Sequence, residues 1–188
     1  MNTTAEQILN TATTMIKTRG YNAFSYNDIA KEIGIKTASI HYHYPGKHSL
    51  GVSVMTRYRK LNQDELQRIE SSTNNPVIRL TAYAELFSDT LGSEFHMCPC
   101  GMLSADSSTL PPEVKAEVLE FFKDNEQWLS RVLKEGLKQK LFQFEATPGD
   151  CAKMIFAAFE GAMLSAKAFE DKTRLSKALK QIIKLIQP

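Results

Sequence analysis

The chain has 188 residues, is 43% hydrophobic and 23% charged, and carries a formal net charge of +2. That length builds one good core, or one core with a small appended domain. No apolar run approaches a membrane span, the N-terminus is polar rather than a signal peptide, and three cysteines are too few for a disulfide scaffold, so a cytoplasmic protein with no membrane partner is expected.

The small net charge hides an asymmetry. Residues 1–60 hold eight basic groups against three acidic ones, while the rest hold 15 basic against 18 acidic. A basic N-terminal unit on a mildly acidic body suits a nucleic-acid-binding head joined to a separate regulatory part.

In chain order, Thr4 to Arg19 reads as an amphipathic helix, with Ile8, Leu9, Ala12, Met15 and Ile16 at helical spacing. Thr3 or Thr4 can cap it, and Gly20 ends it. Ser25 and Asp28 form a capping box for a second helix over 26–33, flanked by Phe24 and Ile29 as a hydrophobic staple. That helix is expected to bury Ile29, Ala30 and Ile33. Gly34 fits a left-handed stop. Thr37 to Tyr44 is a short third helix, with Ala38 and Ile40 able to face inward and Thr37, Ser39, His41, Tyr42 and His43 outward. Five hydrogen-bonding side chains on two turns suit phosphates and base edges better than a core.

Pro45-Gly46 breaks that helix, and a longer one runs from Lys47 to about Glu70. Ser71 to Asn75 is the clearest loop. Further helices follow over about 76–92, 101–106, 112–140, 148–169 and 173–186. The predicted class is all-α, with a three-helix helix-turn-helix domain (1–47) and a larger helical ligand-binding and dimerisation domain (48–188). The helix over 48–70 connects the two.

The run Gly34-Ile35, Ser39-Ile40-His41-Tyr42-His43-Tyr44, Lys47 and Leu50, extended back through Phe24, Asp28, Ile29 and Ala30, resembles the recognition region of the TetR family of bacterial transcriptional repressors. It covers about the first quarter of the chain. His41 stands where that family usually has Tyr, and Tyr44 where it has Phe. The resemblance implies DNA contacts from Ser25, Tyr26, Thr37, Ala38, Ser39, His41, Tyr42, His43 and Lys47. Lys47, at a helix start, is the expected phosphate clamp. Thr37, Ala38 and Ser39 are the expected base readers, by methyl contacts and single hydrogen bonds. The resemblance also implies a repressor that binds a palindromic double-stranded operator as a homodimer and is released by a small-molecule inducer.

The body offers three further sets of residues. Tyr83, Phe87, Phe95, Met97, Met102, Phe121, Phe122, Trp128 and Phe159 are candidates to line an apolar ligand cavity, or plain core. Ala158, Gly161, Ala162 and Ser165, with Leu179, Ile182, Ile183 and Ile186, could complete the monomer core or pair with a second copy. The dimer is expected, because two-fold dimers are common and helix-turn-helix proteins read paired half-sites. Cys98 and Cys100 flank Pro99 just before a short helix, where free N–H groups can lower a thiol's pKa, so a thiol-sensing repressor is the alternative reading.

No phosphate loop, nucleophile elbow, His-Glu zinc helix or dinucleotide fingerprint is present, so no enzyme, cofactor, catalytic residue or metal site is expected. His96 with Cys98 or Cys100 is the residual cysteine-dependent reading. A module that binds another protein through the last two helices is a third.

Overall fold

A computed structural model describes residues 3–188, and among these there are nine helices and no strand. They are α1 (Thr4–Arg19), α2 (Tyr26–Ile33), α3 (Thr37–His43), α4 (Lys47–Ser72), α5 (Pro76–Leu91), α6 (Pro99–Ala105), α7 (Pro112–Lys138), α8 (Pro148–Ala168) and α9 (Thr173–Ile186). The chain divides into two compact units, each discontinuous in sequence. The head runs to Leu61 and resumes over Pro99–Phe121, and the body comprises Asn62–Cys98 and Phe122–Pro188. Helices α4 and α7 contribute residues to both.

In the head, local signals set the helix ends. Thr3 caps α1 in a capping box with Glu6, and Ser25 caps α2 in one with Asp28. Gly34 takes φ 70° and ψ 34°, a left-handed cap that other residues rarely adopt, and the N–H groups of Gly34 and Ile35 both reach the Ala30 carbonyl. Helix α1 buries Ile8, Ala12, Met15 and Ile16, α2 buries Ile29 and Ala30, and α3 buries Ile40. The expectation that Ala38 and Ile33 face inward does not hold. Ala38 is exposed, since the seven-residue α3 has room for one inward row, which Ile40 fills, and Ile33, the last residue of α2, is only half-buried.

Helix α6 packs on α1 and belongs to the head. The Tyr21 backbone N–H donates to the Asp106 carboxylate at 3.2 Å, and the Asn22 amide donates to Thr109 Oγ1 at 2.7 Å. The turn that opens the helix-turn-helix is thus tied to the segment that follows α6.

In the body, α9 packs on α5 and α8. Asn75 caps α5 and Thr147 caps α8, each followed by a proline in the first turn. Arg79 is buried and donates to the carbonyls of Thr73 and Glu70 and to the Glu135 carboxylate, which closes the turn between α4 and α5. A buried charge held by several acceptors is how an interior arginine is tolerated.

The α9 stripe resolves differently from expectation. Leu175, Ile182 and Ile186 are buried within the protomer, and Leu179 and Ile183 are half-buried. Ile182 and Ile186 are therefore core rather than partner surface.

Candidate DNA-reading face and ligand body

The outward face of α3 carries Ala38, His41, Tyr42 and His43 exposed, with Thr37 and Ser39 half-buried at its edge. Tyr42 is 84% exposed, while most aromatic rings of the chain are buried or half-buried. His43 lies edge-on to Tyr42 with ring centroids 5.0 Å apart, and His41 edge-on to Tyr26 at 4.8 Å. Ala38 leaves a low spot between polar neighbours, where a base methyl group could approach. Lys36, the exposed N-cap residue of α3, adds a cation there that motif reading passed over.

Three other residues expected at DNA, exposed Ser25 and half-buried Tyr26 and Lys47, make hydrogen bonds within the head. The Ser25 hydroxyl donates to Asp28 Oδ2 at 2.6 Å, which holds the Asp28 carboxyl below the usual range. The Tyr26 hydroxyl donates to the Tyr44 carbonyl at 2.9 Å, and burial pushes its pKa up to about 12. A phosphate is only an acceptor, and each hydroxyl has one proton to give.

Lys47 is half-buried. Its ammonium donates to the Phe24 carbonyl and lies 4.2 Å from the Phe24 ring centroid and 4.8 Å from that of Tyr21. Desolvation lowers its pKa. The expected phosphate clamp is thus a pin between the start of α4 and the loop before α2. Lys47→Ala should lower the melting temperature through loss of roughly 1–2 kcal/mol of charged hydrogen bonding and cation–π contact. It should leave the salt dependence of DNA binding unchanged. A salt slope reduced by about one per protomer would restore the phosphate role.

In the body, the candidate cavity residues separate. Tyr83 stacks on Trp128 at 5.3 Å and meets Phe159 edge-on at 5.9 Å, and Phe87 stacks on Phe159 at 5.1 Å. Phe156, missed in sequence, joins Phe87 and Phe122. Met102 and Phe121 fall in the head instead, with Phe121 stacked on Tyr58 at 5.4 Å. Of the other two candidates, Met97 is buried and Phe95 half-buried.

A polar node threads this cluster. The Tyr83 hydroxyl donates to buried Asn125 at 3.0 Å, and Asn62 donates to the same oxygen at 3.3 Å. On α8, half-buried Glu160 lies one turn from Phe156 and Met163, which are buried, and is hydrogen-bonded to Cys98. No sequence motif marked Asn125 or Glu160. The available signal was a carboxylate interrupting an apolar row at helical spacing.

Cys98 and Cys100 are 3% and 0% exposed. A sensor thiol must meet its reagent. Both lie closed to solvent, which removes the geometry that the thiol-sensing alternative required. Among the described residues no group of three or more His, Cys, Asp or Glu side chains is gathered to hold a metal ion, and no helix is long and apolar enough to cross a membrane.

The α8 surface completes the set. Ala158, Gly161, Ala162 and Ser165 line a groove of about 490 Å³ with Asp171, Arg174, Lys177, Ala178 and Gln181. Leu164 beside it is 60% exposed.

Comparison with known proteins agrees with this architecture. The family model for bacterial regulatory proteins of the tetR family matches residues 8–53, and that for the tetracyclin repressor-like C-terminal domain matches residues 76–182. A TetR-family transcriptional regulator from Agrobacterium tumefaciens superposes with a TM-score of 0.94 at 32% identity, over 98% of this chain and 97% of that one. A TetR transcriptional regulator from Legionella pneumophila gives 0.91 at 32% identity, over 100% and 99%. The HTH-type transcriptional repressor DhaR of Mycobacterium sp. (strain GP1) is 26% identical over 97% of this chain and 92% of its own.

Proposed function

Because this chain belongs to the TetR family of bacterial transcriptional regulators, we propose that it is a cytoplasmic repressor that holds a palindromic operator as a homodimer and lets go when a small molecule enters the body. As a member of that family it is a helix-turn-helix DNA-binding regulator and not an enzyme. The observation that carries the DNA-reading assignment is the outward face of α3, where Tyr42 stands 84% exposed among His41, His43, Ala38 and the half-buried Thr37 and Ser39. Tyr42 has its hydroxyl free to donate to a phosphate, and the small residues at the helix N-terminus leave room for base edges.

Dimerisation is supported by α8, where Ala158, Gly161, Ala162 and Ser165 line a surface groove and let a second helix approach closely. The ligand role is supported by the aromatic cluster around Tyr83, which mixes apolar rings with a few buried polar groups.

Fluorescence anisotropy on an operator selected from random duplex DNA, across a salt series, tests the reading. Affinity should fall steeply with salt, and Tyr42→Ala should lower it at least tenfold with an unchanged melting temperature. Binding that ignores both sequence and salt would overturn the assignment.

A further inference from the structure

Among the described residues, two buried polar atoms near Tyr83 have no hydrogen-bond partner. One is Glu160 Oε1, an acceptor, and the other is Trp128 Nε1, a donor. Glu160 lies on α8, one turn from buried Phe156 and Met163. Its side chain is hydrogen-bonded to Cys98 and sits within electrostatic reach of the Tyr83 hydroxyl. No basic side chain pairs with it among the described residues. A buried carboxyl without a cation in a wall of aromatic rings is an unfavourable arrangement for a core. It is a favourable one for a ligand that supplies both an N–H donor and positive charge, since ring faces and a carboxylate attract the same group.

We propose that Glu160 is the recognition group of an organic-cation site, and that the inducer class is a protonated amine on an apolar body that packs against Tyr83, Phe87, Trp128, Phe156 and Phe159. This rests on the reading of the body as the ligand-binding part. As the cation binds, the carboxyl gives up its proton to solvent, the amine N–H satisfies Glu160 Oε1, and an acceptor elsewhere on the ligand can take the Trp128 N–H. The site also has a route outward along the chain. Cys98, which holds Glu160 in the empty protein, is the last body residue before Pro99, where α6 and the head resume. A cation that takes the carboxyl from Cys98 alters the residue from which α6 departs.

The test uses the full-length protein and three molecules on one skeleton: phenethylamine (a cation at neutral pH), 2-phenylethanol and phenylacetate. Trp128 is the chain's single tryptophan and stacks on Tyr83, so its fluorescence reports directly on the cluster. Phenethylamine should shift that fluorescence saturably, at a concentration at least tenfold below 2-phenylethanol, with phenylacetate weakest. Glu160→Gln should bring the amine and the alcohol level.

Equal response to amine and alcohol in the wild-type protein overturns the cation class. So does a preference that survives in a cooperatively melting E160Q. If E160Q does not fold, the wild-type comparison decides alone. If alcohol or phenylacetate shifts the fluorescence and weakens operator binding as well as the amine does, the ligand-binding body stands and only its cation selectivity falls. If none of the three perturbs Trp128 at millimolar concentration, the amine site is overturned. The ligand role then rests on a different molecule, found by screening for loss of operator binding.

Discussion

Gly161→Arg should yield a folded monomer that binds its operator at least a hundredfold more weakly than the wild type. Gly161 is exposed on α8, and a Cβ built there meets nothing within 4 Å. Within the protomer the change is benign, and replacing a mid-helix glycine gains about 0.5–1 kcal/mol of helix propensity. Across a two-fold axis the outcome reverses. Ala158, Ala162 and Ser165 line the same groove, where Arg174 and Lys177 are both ion-paired with Asp171. An arginine at 161 meets its own copy at the close approach that small residues permit, so bulk, together with the like charge of the two copies, opposes pairing.

Operator binding then loses its second head. Linking two heads makes the second engagement intramolecular, worth about 10²–10⁴ in affinity, and a monomer forfeits it. Light scattering and anisotropy on the same preparation check both halves. A G161R protein that remains dimeric with native operator affinity would show that the partner sits on another face.

Much of the head was legible because its signals are local. The Ser25–Asp28 box, the left-handed Gly34 and the buried Ile40 all lie within one or two turns of what they control. The features that were not legible depend on contacts remote in sequence. The membership of α6 in the head rests on its packing against α1 and on Asp106 accepting from Tyr21, 85 residues away. Lys47 looked like a phosphate clamp because a cation at a helix start usually faces solvent, whereas here Phe24 and Tyr21 fold over it. Ile182 and Ile186 carry the same pattern whether they meet α5 and α8 or a second copy, so periodicity alone could not divide core from interface. On α8, Gly161 is exposed and Ala158, Ala162 and Ser165 are half-buried in the protomer, whereas Ala152 and Ala166, equally small, are buried.

Glu160→Gln should make the protein more stable at neutral pH, by about 2–3 kcal/mol at pH 7.5 and less as the pH falls. Burial is the main cause that pushes Glu160 up from 4.5 to about 10, with Cys98 adding to it. The pKa is raised on folding, so the associated stability is present below the unfolded value and is lost as pH rises toward the folded one. Between about 4.5 and 10 the unfolded chain ionises and the folded chain does not. Each pH unit in that window removes up to about 1.4 kcal/mol.

Glutamine keeps the shape and cannot ionise. Its extra N–H offsets part of the gain, on the order of 1 kcal/mol if left unpaired. The groups facing the site are Cys98 and Tyr83, with Glu126 acting on Tyr83. Burial holds the Tyr83 hydroxyl well above its usual value, so it does not ionise within the window. Thermal melts from pH 4.5 to 9 should therefore show two curves that meet at the acid end and diverge upward, by several degrees at pH 7.5. Parallel curves would mean that Glu160 is ionised and solvated in the fold, and would overturn the stability prediction. Divergence would identify a carboxyl that destabilises the unliganded fold, and natural sequences retain such groups where a ligand makes use of them.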